Sequence, residues 1–514
     1  MNKNFWNLYK EAKGKDVIEL FNPDVEDTYE SVINICESAK KWNDDFDSVL
    51  TTNIYGCILI NLLERYPLPK ENFTRKSFLK FVEDFDLINF DVDINGDTVW
   101  YEKEILLPKD KFRNKNSMVC PLSLFLYFHY DYFKPILLPQ RFDLMQKRCD
   151  VLGIDLPEIP RTKDYKEYLM FYYDLCGCMN EFQKKYELTD AEFCACLYDF
   201  GGMAIGETVK IEMPKPTNVW LTGASGKADF TYLDNLGKDE DNQGHIWACN
   251  ERTKRGDIII IYCTSPRSYI HSIWRANSGG IFNPFDSYQC RTAVCDGIRI
   301  PEIGFKDLKA DKYFSQVPIV RGNLQGINGV ELSADDYSRL LEMIEERGGN
   351  VSILPKLFDG ADVDFGIIEL EKDVEEKILI PILRELGYED KDWTRQLSLK
   401  AGRQEKAIPD FVFFPQGKEH FENAPFVIEA KLDMSSAIEL NRAFRQGLSY
   451  ARLLRSKLMG LCDKERLVIY QVDEVGSSDQ TNPIFENHWK AIYSDSAIGT
   501  RLKQLIGAEV IRSL

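Results

Sequence analysis

The sequence predicts a multidomain protein in which an α-helical N-terminal domain (residues 1–205) precedes a β-barrel-like middle domain (206–350) and an α/β C-terminal domain (351–514). Three observations support this division. The chain has 514 residues and 44% hydrophobic content, which is too much for a single core. Its apolar residues first recur every three to four positions, and later form short β-branched and aromatic runs between Gly, Pro and Asn. Near the end, two apolar runs finish in charged residues.

The N-terminal domain is predicted to be a helical scaffold or interaction domain with an unidentified partner. It contains two Cys-x-Cys pairs, Cys176 with Cys178 and Cys194 with Cys196. Four thiolates can close a structural zinc site. Both pairs fall in helix-like sequence, however, where residues two apart point in different directions. We therefore expect small buried thiols and no zinc.

Short strands separated by turn residues predict a small barrel in the middle domain. The order of Trp247, the Gly-Asp step at Asp257 with its apolar run, and the segment from Ile270 to Trp274 is similar to the EVE branch of PUA-like domains. That resemblance implies a pocket for a modified base.

The candidate stacking rings of this pocket are Trp220 and Trp247, and the candidate hydrogen-bonding groups are Asn218 and Asp257. The alternative is that each ring is an ordinary core residue, which is more frequent for aromatic residues at strand spacing. Both interpretations stay open at this point.

The most informative feature of the C-terminal domain is a pair of strands flanked by charged residues. Asp410 precedes the apolar run 411–414, and Glu429 and Lys431 end the run that begins at 426. Side chains alternate along a strand, so Glu429 and Lys431 are predicted to share a face, opposite residues 426, 428 and 430. Charges in such apolar sequence are costly unless they pair or hold a metal.

Two carboxylates and an ammonium are the groups that phosphodiester hydrolysis needs. Mg²⁺ keeps several waters and takes one or two protein carboxylates, which Asp410 and Glu429 would supply, with Mn²⁺ as a substitute. Lys431 would position the attacking water and offset charge on the phosphorus. For an isolated match, a buried ion network without chemistry is the more frequent alternative.

The flanking sequence favours the catalytic interpretation. Asp410 after a proline, followed by Glu429-Ala430-Lys431, resembles the motif of the PD-(D/E)xK nuclease superfamily, and the region 360–475 resembles the N-terminal nuclease domain of type I restriction-enzyme R subunits. Gln446 and Tyr450 match the QxxxY element of a subset of these nucleases. The resemblance implies a restriction-endonuclease-like fold, with Gln446 and Tyr450 supporting the substrate or Lys431.

A third carboxylate is expected from the helix that opens this region. Its predicted apolar stripe runs through positions 374, 378, 382 and 386. The resemblance favours Glu371 as an outer metal ligand. Glu375 shares much of that face and is the reserve, whereas Glu376 is expected to face solvent.

Four arginines, Arg442, Arg445, Arg452 and Arg455, surround the QxxxY element, with no acidic residue between 441 and 457. A solvated helix face is an equally common explanation, but beside a phosphodiesterase centre they form a predicted phosphate-binding surface. The whole chain has 82 acidic and 64 basic residues and a net charge of −18. Contact with double-stranded DNA is therefore expected where the local charge is positive.

The sequence thus predicts a metal-dependent DNA endonuclease of the restriction or antiphage-defence type, directed to modified bases by its middle domain. Double-strand cleavage needs two centres, so a homodimer is expected. Two other classes stay open. One is a nuclease effector gated by a signal or a partner, and the other is a nucleic-acid-binding protein with an inactive nuclease fold.

Several other classes lack their necessary residues. The segment from Gly223 to Ala228 has neither the glycine spacing nor the hydroxyl of a P-loop, so no DNA-translocating motor is predicted. The five histidines show no hydrolase-triad context. No run approaches the roughly 18 apolar residues of a membrane span, and the opening residues do not resemble a signal peptide. With 13 cysteines and no disulfide-framework spacing, a cytoplasmic protein with reduced thiols is expected.

Overall fold

The computed structural model describes residues 3–22, 28–39, 41–42, 74–86, 100–101, 104–105, 119–160, 165–203, 212–236, 245–286, 288–358, 363–400 and 406–514. The chain divides into two compact units. The first comprises Met1–Glu207 together with Asn283–Gln289, and the second comprises Thr208–Phe282 together with Cys290–Leu514. Helices and several mixed sheets make up these units.

The first unit is built mainly from helices in its described ranges. Asp199 links two parts of it, because its carboxylate accepts hydrogen bonds from the Tyr9 hydroxyl at 2.8 Å and the Trp42 indole at 3.3 Å. Both Cys-x-Cys pairs lie on helical turns, as predicted. The helices are Lys3–Glu11, Gly14–Leu20, Thr28–Ala39, Arg75–Asp86, Val119–His129, Phe142–Leu152, Tyr165–Tyr186, Asp190–Ala195 and Gly201–Met203, with a π turn at Cys196–Phe200; strands β1 (Trp100–Tyr101) and β2 (Glu104–Ile105) pair antiparallel.

The second unit begins with a curved seven-stranded sheet, a half-barrel. Its strands are β3 (Val219–Ala224), β4 (His245–Ala248), β5 (Ile258–Cys263), β6 (Tyr269–Ala276), β7 (Ile281–Phe282), β8 (Cys290–Gly304) and β9 (Val330–Leu332). The order is β4-β8-β6-β5-β3-β9, with β7 paired to β8. Only the β3–β5 pair is parallel. The curvature brings β3 close to β4 at the far end of the order, and the Thr222 hydroxyl donates to the Ala248 carbonyl at 2.7 Å.

Alternation along these strands divides their apolar side chains between two cores. Ile258 and Ile260 of β5 lie in one core, and Ile259 and Ile261 lie in the other with Trp220. The helices that accompany this sheet are Gly226–Asp234, Phe305–Ala310, Pro318–Arg321 and Ala334–Glu346.

The second unit ends with a six-stranded sheet. Its strands are β10 (Trp393–Arg395), β13 (Phe411–Phe413), β16 (Phe426–Ala430), β17 (Leu458–Cys462), β18 (Arg466–Gln471) and β19 (Phe485–His488), in that order across the sheet. Two small hairpins are separate from it, β11 (Leu399–Lys400) with β12 (Lys406–Ala407) and β14 (Gln416–Lys418) with β15 (Phe421–Asn423). Within the six-stranded sheet, β16 and β17 are parallel and the other pairs are antiparallel. The helix Ala437–Leu454 connects these two strands.

Sequence determines where this connecting helix begins and how closely it packs. The Ser436 side chain caps its first turn by accepting the Glu439 amide hydrogen. Gly447 lets the helix approach β17, since a Cβ at this position would lie 2.9 Å from the Met459 sulfur. The helix therefore lies directly on the face of the sheet that carries Val427 and Met459.

A second helical segment packs on the opposite face of the six-stranded sheet. It consists of Glu371–Asp373, a π turn at Val374–Leu379 and Ile380–Glu385. Its predicted stripe at 374, 378, 382 and 386 is buried in the core on that face, which confirms the prediction. The remaining helices are Trp489–Ser494, Ser496–Ile506 and Ala508–Arg512. None of the helices in the described ranges is long and apolar enough to cross a membrane.

The predicted alternation along β16 is also confirmed. Phe426, Ile428 and Ala430 belong to the core beneath the segment 371–385, whereas Val427 belongs to the core beneath the helix Ala437–Leu454. The two sheets of the second unit have separate cores, but they lie in one compact unit. The predicted boundary near residue 350 stays a prediction.

Candidate active site

Strand pairing places Asp410 and Glu429 at the same edge of the six-stranded sheet. In the antiparallel pair β13–β16, Phe411 is opposite Ile428, so the residue before Phe411 meets the residue after Ile428. The Asp410 Oδ2 accepts the Ala430 amide hydrogen at 2.9 Å, which fixes the Asp410 carboxylate beside the end of β16. The two carboxylates therefore converge from strands that run in opposite directions.

Glu429 is a buried carboxylate with only one of its oxygens satisfied. It is 2% exposed, and its Oε1 accepts a hydrogen bond from Lys431 Nζ at 2.6 Å. Its Oε2 is buried and has no hydrogen-bond partner among the described residues. Burial, and next the charge of Asp410, raise the pKa of Glu429 to about 8. Without a cation beside it, Glu429 therefore tends to hold a proton at neutral pH, and a bound cation would favour its charged form.

Lys431 provides the positive charge closest to these two acids. Burial alone would lower the pKa of Lys431, but the carboxylates of Glu429, Glu371 and Asp410 raise it above its usual value. Lys431 is therefore an ammonium that can donate hydrogen bonds. Its backbone N–H donates to the Cys462 carbonyl at 2.8 Å and so anchors the residue to the end of β17.

The opening helical segment brings two more carboxylates toward this edge, and they differ in burial. Glu371 lies at the first helical residue with an exposed side chain, although its charge still acts on Lys431 and Glu375. Glu375 is 7% exposed, and burial raises its pKa against the opposing effect of Arg395. Glu376 is exposed, as expected. Burial thus favours Glu375 over Glu371 as the acid held close to the strand ends.

Arg395 is a neighbour of the site that the sequence patterns did not single out. Its guanidinium forms a salt bridge with Glu375 and lies over the Phe411 ring, 5.4 Å from the centroid. The register of β10 with β13 pairs Arg395 with Phe411, the residue after Asp410. Pairing between separate strands is not visible in local patterns, which is why the sequence did not indicate Arg395.

Gln446 and Tyr450 form a hydrogen-bonded pair on the connecting helix. The Gln446 side-chain amide donates to the Tyr450 hydroxyl at 2.9 Å. Burial raises the pKa of Tyr450, and the charges of Glu429 and Asp410 add to this effect, while Lys431 opposes it. The phenol is therefore neutral and lies within electrostatic range of the acids and the ammonium.

The four predicted arginines of this helix make contacts within the protein or lie at its end. Arg442 pairs with Glu439 at 3.2 Å, and Arg452 donates to the Gly476 carbonyl at 2.6 Å. Arg445 lies over the Phe444 ring. Arg455 is exposed and ends the helix in a left-handed conformation, with φ of 53°. Arg455 is thus the most exposed of the four.

The donor set at the strand ends fits a divalent metal ion. Within the described residues, no group of three or more His, Cys, Asp or Glu side chains is arranged to hold a metal by itself. Mg²⁺ does not require such a cage, because it commonly takes one or two carboxylates and keeps water on its other positions. The unpartnered Oε2 of Glu429 and the opposed Asp410 carboxylate are hard oxygen donors of this kind.

The candidate base-binding residues Asn218, Trp220 and Asp257 come together in the second unit, but around a buried carboxylate. Asp257 is 1% exposed. Its Oδ2 accepts from Trp220 Nε1 at 2.8 Å and from the Lys254 amide at 2.9 Å. Its Oδ1 accepts from the Asn218 amide at 3.2 Å. The hydrogen-bonding groups of these residues are therefore used inside the protein.

Asp257 also connects the seven-stranded sheet to the six-stranded sheet. The Thr217 hydroxyl lies 3.4 Å from Asp257 Oδ1 and 3.1 Å from Nε2 of His488 at the end of β19. Lys254, whose amide binds Asp257, pairs through its ammonium with Glu465. We call residues 249–257 the joint loop.

A third contact of the joint loop reaches the helix that carries Gln446 and Tyr450. The Ala437 amide, at the first position of that helix, donates to the Glu251 carbonyl at 2.8 Å. The free N–H groups of a helix start need such acceptors. The joint loop therefore supports the helix from its N-terminal end.

Trp247 belongs to the same core as Trp220 but does not bind Asp257, and its ring contacts are with Tyr232 and His245. Tyr232 stacks on His245 at 4.1 Å, and Trp247 lies 5.4 Å from His245 and 6.4 Å from Tyr232. The Trp247 indole N–H is buried and has no hydrogen-bond partner among the described residues. A buried donor without a partner is uncommon in proteins.

Sequence patterns found Asp410, Glu429 and Lys431, with Glu375 as the reserve for Glu371. Arg395, Tyr232 and His245 emerged only from the contacts described above. Comparison with protein-family models, with curated proteins and with solved structures gives no match to this chain.

Proposed function

We propose that the chain is a metal-dependent endonuclease that cleaves double-stranded DNA in the cytoplasm, with a PD-(D/E)xK, restriction-endonuclease-like fold in its C-terminal part. The observation that carries the proposal is the opposition of Asp410 and Glu429 at one sheet edge, with an unpartnered Glu429 oxygen and the Lys431 ammonium beside them. A buried ion network built only for stability would have its oxygens paired.

The residues of the site have distinct roles in the proposed reaction. Asp410 and Glu429 would hold Mg²⁺ or Mn²⁺. The bound ion would offset negative charge on the scissile phosphate and lower the pKa of a bound water. Lys431 donates hydrogen bonds, so it orients the attacking water and offsets the negative charge that grows on the phosphoryl oxygens. The Tyr450 hydroxyl, held by Gln446, is a second neutral donor for the phosphate. Glu375 or Glu371 would supply the third carboxylate of the site.

The middle region is proposed to be a PUA/EVE-like module that directs cleavage to a modified base. Its support in the structure is the ring group around Trp247, whose indole N–H is buried without a partner. A flipped base needs aromatic faces for stacking and a polar donor or acceptor for its edge. Trp247 is thus retained as a candidate pocket residue, whereas Trp220, Asn218 and Asp257 act within the connection between the sheets.

One observation favours a second candidate function, a gated nuclease effector. The joint loop holds the start of the helix that carries Gln446 and Tyr450. A ligand or partner that displaced the joint loop would therefore alter the candidate active site, without any change in the strands that carry Asp410 and Glu429. Cleavage would then depend on that ligand or partner.

A plasmid assay separates these functions. The full chain is incubated with Mg²⁺ and matched plasmids that are unmodified or carry 5-methylcytosine or 5-hydroxymethylcytosine. Cleavage of modified DNA alone supports modification-directed cleavage, and cleavage of all plasmids supports the nuclease but removes the modified-base proposal.

Variants identify the residues responsible. Lys431→Ala should lower cleavage at least a hundredfold, the loss typical for removal of one such stabilising group, while Lys490→Ala, at an exposed lysine, should cleave normally. If wild-type protein binds DNA but cleaves none of the plasmids with Mg²⁺ or Mn²⁺, the binding-protein alternative is favoured, and cleavage that survives Lys431→Ala contradicts the proposed site.

A further inference from the structure

Two cysteines face each other where the joint loop leaves β4. The register of β4 with β8 pairs Ala248 with Arg291, so Cys249 is opposite Cys290. Their sulfur atoms lie 3.7 Å apart, and the Cys249 amide donates to the Cys290 carbonyl at 3.1 Å. A disulfide has a sulfur–sulfur distance of about 2.0 Å. The sulfurs therefore need to approach by less than 2 Å, and the hydrogen-bonded strands already hold the two backbones beside each other.

A glycine beside the pair makes space for the Cys290 side chain. Gly280 lies next to Cys290, and a Cβ at that position would come within 2.8 Å of the Cys290 sulfur. Cys290 is buried, whereas Cys249 is partly exposed. The contact with Cys249, followed by burial, raises the pKa of Cys290 well above its usual value. Cys249 is therefore the thiol that an oxidant reaches first, and the buried Cys290 is the second thiol that would form the disulfide with it.

We propose that Cys249 and Cys290 form a reversible dithiol–disulfide site whose oxidant is a peroxide. The Cys249 thiolate attacks one peroxide oxygen, the O–O bond breaks, and with hydrogen peroxide one water leaves while Cys249 becomes a sulfenic acid. The Cys290 sulfur then attacks the Cys249 sulfur, the S–O bond breaks, and a second water leaves after proton transfer. Two thiols have been oxidised to one disulfide, and one peroxide has been reduced to two waters.

The location of the site gives this bond a structural effect. Cys249 is the first residue of the joint loop, and Glu251, two residues later, accepts the Ala437 amide. Asn250 between them donates from its side chain to the Gly329 carbonyl at 2.9 Å. A Cys249–Cys290 bond would tie the beginning of the joint loop to β8, so oxidation acts on the same loop that supports the helix Ala437–Leu454.

Peptide mapping tests the site without any assumption about DNA cleavage. Reduced full-length protein is treated with hydrogen peroxide, its remaining thiols are alkylated, and it is digested without reductant for mass spectrometry. We expect a linked peptide pair that contains Cys249 and Cys290, lighter by two hydrogens than the two free peptides, and lost on treatment with dithiothreitol.

Matched variants identify the reacting sulfurs. Cys249→Ser should leave Cys290 alkylatable after peroxide and unfolding, while Cys178→Ser, at another partly exposed cysteine, should keep the 249–290 link. The proposal is overturned if wild-type protein retains both thiols after peroxide, if Cys249 proceeds to a sulfinic acid without linkage, or if the link joins other cysteines.

Discussion

Replacing Asp257 by asparagine should destabilise the second unit by about 2 kcal/mol. The Oδ2 of Asp257 accepts from Trp220 Nε1 and the Lys254 amide, and its Oδ1 accepts from the Asn218 amide. An asparagine of the same shape keeps one acceptor oxygen and places an NH₂ group where the other was, facing donors. One set of buried donors then loses its acceptor, whichever way the amide is turned.

The magnitude follows from the number of donors left unpaired. An asparagine turned so that its oxygen replaces Oδ2 leaves the Asn218 backbone amide without an acceptor, and one buried unsatisfied donor costs about 1–3 kcal/mol. Part of this is offset, because burial already raises the pKa of Asp257 and its charge is therefore unfavourable in the protein. A net loss of about 2 kcal/mol remains after that offset.

Urea unfolding of the full chain, followed by tryptophan fluorescence, measures this loss. Asp473→Asn is the matched control, because the exposed Asp473 carboxylate also accepts two backbone hydrogens, from Val475 and Ser477, yet water can replace it there. The control should lose less than about 1 kcal/mol. If Asp257→Asn lowers the free energy of unfolding by no more than the control does, the hydrogen bonds of the Asp257 carboxylate do not stabilise the joint loop as proposed.

Three further predictions concern the active site and the effect of pH. Tyr450→Phe keeps the packing of the ring but removes the hydroxyl held by Gln446, so single-turnover DNA cleavage should slow about tenfold with stability unchanged. Arg395→Ala leaves Glu375 without its ion pair and should cost about 1–2 kcal/mol in thermal unfolding, a value below that of a fully buried pair because Arg395 is partly exposed. Burial, aided by the charge of Lys254, lowers the pKa of His488 to about 3. An unfolded histidine binds a proton below about pH 6.5, whereas folded His488 stays neutral there. The free energy of unfolding, measured in urea, should therefore decrease as the pH is lowered below about 6.5, by up to about 1.4 kcal/mol per pH unit.

Controls decide each of these predictions. Phe444→Leu changes an apolar ring of the same helix and should alter stability, with little effect on cleavage per folded molecule. Arg395→Lys should restore part of the lost stability. His488→Gln should reduce the pH slope by about one proton between pH 6 and 4. Equal cleavage by Tyr450→Phe and wild type, equal stability of the Arg395 variants, or an unchanged slope in His488→Gln would each contradict the assignment concerned.

The candidate active site was accessible to sequence reasoning because its strongest signals are local. Asp410 and Glu429 each adjoin a short apolar strand, and alternation placed Ala430 on the opposite face from Lys431 before any contact was known. Phe426 and Ile428 are buried in the core beneath the segment 371–385, on the face that the alternation predicts.

Other parts depend on contacts between distant segments, which local patterns do not encode. The sequence allows both a pocket and a core position for Trp220, with the core the more frequent of the two. The choice between them depends on contacts of Asp257 and Lys254 with distant residues such as Glu465. Helical spacing could not separate Glu371 from Glu375, because both positions lie near the same stripe, and a π turn at Val374–Leu379 alters the spacing between them.

The Asp257 connection bears on how this chain could be cut or recombined. Excising the six-stranded sheet would leave Glu465 without the ammonium that now balances it and would expose the His488 ring to solvent. It would also remove the acceptor of the Ala437 amide. Engineers who transplant this catalytic half into a chimera should carry residues 212–257 with it or redesign that seam, since the boundary between the sheets is a shared, polar part of both.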